Sequence, residues 1–245
     1  MLESVAPDLW TASQPFKYLG LNVGTRMTVV RLNDQKLTVI SPIEPTETLQ
    51  NELSQLGTVA HIIAPNLYHY LYAESFKRCY PTATLWATHG LKEKKPQVPI
   101  DRVIQPDNNN REERDLEERN LWDTLEATFF SGLKTLGTSG IDDFNEWVFF
   151  HKASCTLIVT DVAFFYDNSF PFVEQLMARV LGCYETLAPS RLERIATKDK
   201  VSIRTAVEKV LSWDFDRVIV AHGRVIETGG KQAFQQGYEN FLGIA

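Results

Sequence analysis

Cysteine, histidine, basic clusters and long apolar runs are all scarce in this chain, and each scarcity removes a class of function. Three cysteines in 245 residues (Cys79, Cys155 and Cys183) stand far apart and form no CxxC pair. Their odd number and spacing argue against a disulfide framework or a thiolate zinc knuckle. No apolar stretch approaches the roughly 20 residues that cross a bilayer. The start, Met1-Leu2-Glu3-Ser4, has neither a basic n-region nor an apolar h-region, so no secretory signal is expected. The expectation is a reduced, cytoplasmic protein with no membrane partner. Net charge is −6 without a basic stripe, which argues against nucleic acid. Ser139 and Ser154 lie in no nucleophile-elbow pattern, and Gly137-Thr138-Ser139-Gly140 is too short to cradle a phosphate.

What is present reads as an ordinary globular chain: 44% hydrophobic and 23% charged residues suit a buried core under a solvated surface. Met27–Leu32 and Lys36–Ile40 are β-branched runs joined by Asn33-Asp34-Gln35, a hairpin signal. Leu49, Leu53 and Leu56 are spaced for a helix that Thr46 caps and Gly57 stops. Val59–Ala64 follows as a buried strand, Tyr72–Cys79 as a helix that Pro81 ends, and Thr84–Thr88 as another strand. Farther on, Trp147–Phe150 and Thr156–Thr160 read as strands around a turn. Phe172–Tyr184, Ile203–Trp213 and Lys231–Leu242 carry helical periodicity. Between them, at about 101–126, the mixed-charge run Arg111–Arg119 after Asn108-Asn109-Asn110 reads as a charged insertion or mobile loop. Strands alternating with helices in two halves describe a layered α/β domain covering 1–245.

Three apolar runs end in residues able to hold a metal. Thr156–Thr160 delivers Asp161, Arg217–Ala221 delivers His222, and Val59–Ala64 leads through Pro65-Asn66-Leu67-Tyr68 to His69. Among the remaining histidines, His61 lies inside an apolar strand and reads as a core residue. His89 follows a strand and reads as a solvated turn residue, and His151 sits at a hairpin tip where exposure is expected. Cys155 and Cys183 lie in apolar runs and read as small buried hydrophobes. The aromatics Phe164, Phe165, Tyr166, Phe170 and Phe172 read mainly as core, with part of the cluster walling a pocket beside Asp161.

Asp161-Val162-Ala163-Phe164-Phe165 resembles the "TGD-x-x-F" element of the metallo-β-lactamase fold superfamily, and Val220-Ala221-His222-Gly223 resembles its last ligand loop. The loop after Ala64 stands where that superfamily carries "H-x-H-x-D-H". Order and separations agree over essentially the whole chain. More narrowly, the chain resembles a branch described only as a domain of unknown function, with "APN-x-x-H" replacing the histidine-rich motif. The resemblance implies a four-layer αββα sandwich.

It also implies a depleted site. Only one of the ligands in the first motif can be histidine, namely His69. The middle loop, somewhere in Gly137–Asn145, has no histidine and offers only Asp142 and Asp143. His69, Asp161 and His222 remain, a set that resembles the parent fold's second metal site and suits one zinc, iron or manganese ion, or none. With an ion, the chain would be a mononuclear hydrolase of a small ester, thioester or phosphoester. Asp161 and His222 would stand at the reacting centre, with Tyr68 or Tyr70 beside them. Without one, the same scaffold would be a non-catalytic protein binding a small molecule or a partner. An oxygen-handling role on non-haem iron ranks last.

Overall fold

The computed structural model of the chain describes residues 1–18, 20–105, 115–137 and 140–244. The first half runs β1 (Glu3–Ala6), β2 (Leu9–Gln14), β3 (Lys17–Tyr18), β4 (Leu21–Asn22), β5 (Thr25–Arg31), β6 (Lys36–Ile40), α1 (Glu47–Leu56), β7 (Thr58–Ala64), α2 (Ala73–Cys79), β8 (Thr84–Ala87), α3 (Leu91–Lys94) and β9 (Arg102–Val103). The second runs α4 (Leu116–Thr124), β10 (Leu125–Phe130), β11 (Lys134–Gly137), β12 (Gly140–Asp143), β13 (Glu146–His151), β14 (Thr156–Val159), α5 (Phe172–Leu181), α6 (Arg191–Ala196), α7 (Lys200–Leu211), β15 (Arg217–Val220) and α8 (Gly230–Leu242). Among the described residues no helix is long and apolar enough to cross a membrane.

Seven strands form one sheet in the order β1-β2-β5-β6-β7-β8-β9, and four form another in the order β10-β13-β14-β15. The alternation of side chains along each strand decides which layer each residue enters. Val29, Val39, Ile62 and Leu85 face α1 and α2; their neighbours Val30, Ile40, Ile63 and Trp86 meet Trp147, Phe149, Ile158 and Ile219 of the other sheet. Leu157, Val159, Val218 and Val220 turn the opposite way, onto α7 and α8. The result is helices, sheet, sheet, helices: the αββα sandwich. Strands buried on both faces are continuously apolar, which is why β14 and β15 read as short unbroken runs. The hairpin β5–β6 is antiparallel and β6–β7–β8 is parallel, as the helices between them require. Thr46 caps α1 by accepting from Leu49 N, and Gly57 ends it.

Three sequence expectations change. His151 is 1% exposed, not a tip residue: it ends β13, paired with Leu125 and Thr156, and its Nδ1 meets Ser154 Oγ at 2.7 Å. The tip lies beyond it, so Cys155 takes a left-handed conformation (φ 48°) and is exposed rather than buried. Within the stretch at about 101–126, residues 106–114 lie outside the described residues. Asp115 caps α4 by accepting from Glu118 N at 2.8 Å, and Leu121 of that helix is fully buried between the sheets. Only Leu121 of this charged helix is fully buried, which is too little periodicity to reveal the helix from sequence.

His61 is 1% exposed, and Trp86 Nε1 donates to its Nδ1 at 3.2 Å. Its Nε2 is buried without a partner. Burial lowers its pKa from 6.5 to about 4. The unfolded chain therefore takes up a proton below pH 6.5 that the folded chain refuses until about pH 4. Stability is complete above pH 6.5 and falls as the pH drops through that window, by at most roughly 3 kcal/mol. Urea unfolding at pH 7 and pH 4.5 is expected to show this loss, and His61→Leu should flatten it.

Candidate metal centre

β7, β14 and β15 all end at the same rim of the sandwich, so the loops that follow them meet there. Asp161 leaves β14, His222 leaves β15, and His69 comes from the loop after β7. His69 Nε2 lies 3.1 Å from His222 Nε2 and 3.4 Å from Asp161 Oδ2; His222 Nε2 lies 3.3 Å from Asp161 Oδ1. The three residues that sequence points to are thus brought together. Among the described residues they form the one group of three or more His, Cys, Asp or Glu side chains with mutually close ligand atoms. Bonds of about 2.0–2.2 Å meeting at a tetrahedral angle set donor atoms about 3.3–3.6 Å apart, so the spacing fits one small divalent cation.

The outer ring nitrogens decide what the inner ones can do. His222 Nδ1 lies 2.7 Å from the Gly24 carbonyl. A carbonyl only accepts, so Nδ1 carries the proton and Nε2 is a bare lone pair. His69 Nδ1 lies 2.6 Å from Ser41 Oγ, whose own hydroxyl donates to the Arg26 carbonyl at 3.2 Å. With the serine proton on the Arg26 carbonyl, His69 Nδ1 is the donor and its Nε2 is bare; with that proton turned to Nδ1, the ring hydrogen stands on Nε2 instead. A histidine whose far nitrogen donates to a carbonyl or hydroxyl is held as metal ligands usually are.

Beneath the three groups lies a layer that ligand-seeking in the sequence misses. Asn66 is fully buried, and its amide is committed to hydrogen bonds. Its Oδ1 accepts from Tyr68 N and His69 N, both at 2.8 Å, which turns the loop so that His69 faces inward. Its Nδ2 donates to Asp161 Oδ2 at 2.7 Å, Glu146 Oε2 at 2.9 Å and Thr160 Oγ1 at 3.0 Å. Glu146, also fully buried, accepts from Thr160 N and Asp161 N, each at 2.7 Å, and so fixes the exit of β14.

Burial by itself would raise the Asp161 carboxyl, but His69 and His222, by charge and hydrogen bond, hold it well below the usual carboxylate range. Burial works against a charge on His69, and Asp161 more than compensates, so its pKa is raised. Burial and the neighbouring Asp161 push Glu146 up against the pull of its three N–H donors.

The other candidates stand elsewhere. Asp142 accepts from the Tyr68 hydroxyl at 2.9 Å, and Asp143 pairs with Lys134 at 2.8 Å; residues 138–139 of that loop lie outside the described residues. His89 is exposed, its ring 4.6 Å from that of Phe129. A cavity of about 300 Å³ opens beside the cluster, walled by Tyr68, Tyr70, Phe144, Phe164 and Tyr166. Phe172, by contrast, is 73% exposed.

The family model described as "Domain of unknown function (DUF4336)" matches residues 7–186. No curated protein matches the sequence. Among solved structures, the chain is similar to a metallo-β-lactamase from Erythrobacter litoralis, with a TM-score of 0.66 at 12% identity, covering 100% of this chain and 96% of that one. A metallo-β-lactamase from Pontibacter korlensis gives 0.64 at 12% identity, over 100% and 99%. One from Pseudomonas aeruginosa in its mono-zinc form gives 0.63 at 9% identity, over 99% and 96%. These similarities concern the fold, which is that of the metallo-β-lactamases.

Proposed function

The chain belongs to the family described as domain of unknown function DUF4336, on a metallo-β-lactamase fold, and from that premise we propose that it is a mononuclear metal-dependent hydrolase of a small ester, thioester or phosphoester. We read residues 1–245 as one such domain and, from its dispersed thiols, place it in a reducing cytoplasm. One observation carries the reading: the Nε2 atoms of His69 and His222 lie 3.1 Å apart, and each lies 3.3–3.4 Å from an oxygen of the Asp161 carboxylate. Electron-rich atoms held that close repel unless a cation or a proton lies among them.

His69, Asp161 and His222 would hold that ion. When bound it would supply Lewis acidity and lower the pKa of water at an open position. The protein's own part is positional. Gly24 and Ser41 keep both imidazoles in the ligating tautomer. Asn66 and Glu146 keep Asp161 aimed, and the two imidazoles keep it charged. The aromatic walls exclude bulk water and give an acyl or alkyl group apolar surface. Tyr68 is committed to Asp142 by its hydroxyl, and burial followed by that bond raises its pKa. It therefore serves as wall and support rather than as an anionic group.

Protein purified without chelators or an affinity tag is expected to contain about one equivalent of a transition metal, and its removal should lower the melting temperature reversibly. Less than about a tenth of an equivalent, with no stabilisation by added zinc, manganese or iron, would sink the reading. A second reading has its own support: a proton on His69 Nε2 can take the cation's place, with Ser41 then donating to Nδ1. The three side chains would satisfy one another in a metal-free binding protein. A thermal shift with small organic ligands but none with metals would select that alternative.

A further inference from the structure

A second carboxyl group lines the same cavity, and neither the cluster nor the fold accounts for it. Glu193, on α6, is 3% exposed. Ser190-x-x-Glu193 has the spacing of a capping box, in which the glutamate returns to the first N–H of the helix. Here Oε1 instead accepts from the Thr135 hydroxyl at 2.8 Å, and Oε2 is buried with no hydrogen-bond partner. The Ser190 hydroxyl accepts from Leu192 N at 3.1 Å. Burial pushes the Glu193 carboxyl above its ordinary range, although the Ser190 and Thr135 hydroxyls both pull it down.

A buried carboxyl with no cation is stable only while it keeps a proton or while something brings positive charge to it. The surrounding wall suits the second case. It carries the rings of Phe16, Tyr18, Phe144 and Phe164 and the carboxylate of Asp161, and no lysine or arginine is among the described residues that line it. Aromatic faces attract organic cations, and apart from the imidazoles of His69 and His222, already turned to Asp161, no basic group on the wall offsets Glu193. The volume of about 300 Å³ lies at the small end of ligand pockets, about 300–1,000 Å³.

Resting on the reading of this cavity as the substrate site, we propose that it takes a small amphiphilic amine, its ammonium group on Glu193 and its apolar body against the aromatic walls. Within the reaction proposed above, this selects cationic or neutral esters and thioesters over phosphoesters. The test is calorimetry on the full chain with 4-phenylbutylamine, 4-phenylbutanol and 4-phenylbutyrate, a matched cation, neutral molecule and anion. With chelator-treated protein the amine is expected to bind about ten- to a hundredfold tighter than the alcohol, the increment of a charged hydrogen bond, and the carboxylate most weakly.

Glu193→Gln keeps an acceptor for Thr135 and should bring amine and alcohol to within about threefold of each other. Leu181→Trp, which fills the cavity, should abolish binding of all three. An anion that binds as well as the amine, or a preference unchanged in Glu193→Gln, overturns the proposal. If that variant does not fold, the wild-type ranking decides alone. Repeating the series with zinc separates the two readings. Absence of metal binding leaves the amine preference standing, whereas loss of the preference with metal still bound removes only this proposal.

Discussion

Replacing Glu146 by glutamine is expected to destabilise the protein by about 3 kcal/mol and to lower its melting temperature by roughly 6–12 °C. The change is nearly isosteric, so packing predicts almost nothing. Hydrogen bonding predicts a large loss. Both carboxylate oxygens are acceptors: Oε1 for Thr160 N, Oε2 for Asp161 N and Asn66 Nδ2. Whichever way a glutamine amide is turned, its NH₂ confronts a donor that has no other acceptor within the buried layer. Asn66 would then be drawn from Asp161, and with it the loop whose backbone it holds at Tyr68 and His69. Glu146→Ala, which also opens a cavity, should cost more. A thermal melt of Glu146→Gln within about 1 kcal/mol of wild type would show that Glu146 merely fills space.

The second large effect is expected at Gly223. Its φ is +107°, and a Cβ built there would stand 1.9 Å from the Phe165 carbonyl oxygen and 2.7 Å from its carbon. That close approach joins the loop after β14 to the loop after β15, sealed by Arg224 N donating to Phe165 O at 2.7 Å. Gly223→Ala must force the two loops apart, and they are the loops that carry Asp161 and His222. The expected cost is about 4 kcal/mol or more, with metal affinity weakened at least about tenfold. Gly229 is the control: its φ is +72°, but nothing lies within 4 Å of the added methyl, so Gly229→Ala should cost only about 1 kcal/mol. Chemical denaturation of both variants, compared with zinc titration of each, checks the pair. Equal costs would mean that backbone conformation, not the contact with Phe165, is what demands glycine at 223.

The contrast between these residues explains how far the sequence could be read. Asp161 and His222 stand out because each ends a short unbroken β-branched run, and such runs in an α/β chain become buried strands whose exits share one rim. His69 follows by its place after a third run of the same kind. Glu146 has no such signature: between Asn145 and Trp147 it reads as one more charged residue opening a strand, and only the fold shows that its carboxylate is surrounded by donors. Asn66 reads as a weak neutral oxygen donor, and its role in orienting His69 and Asp161 depends on atoms contributed by β13 and β14. His151 and Cys155 are misplaced by one turn's difference in where a hairpin ends. Glu193 escapes notice because the spacing Ser190-x-x-Glu193 has a ready local explanation that the side chain does not follow.

The most direct test of the convergence of His69, Asp161 and His222 on one ion is anomalous X-ray scattering at the zinc edge from crystals grown with zinc. One peak is expected, about 2.0–2.2 Å from Nε2 of both imidazoles and from the Asp161 carboxylate, with the Gly24 and Ser41 contacts retained. No density between them, or zinc bound only elsewhere while the three side chains keep their mutual hydrogen bonds, would contradict it.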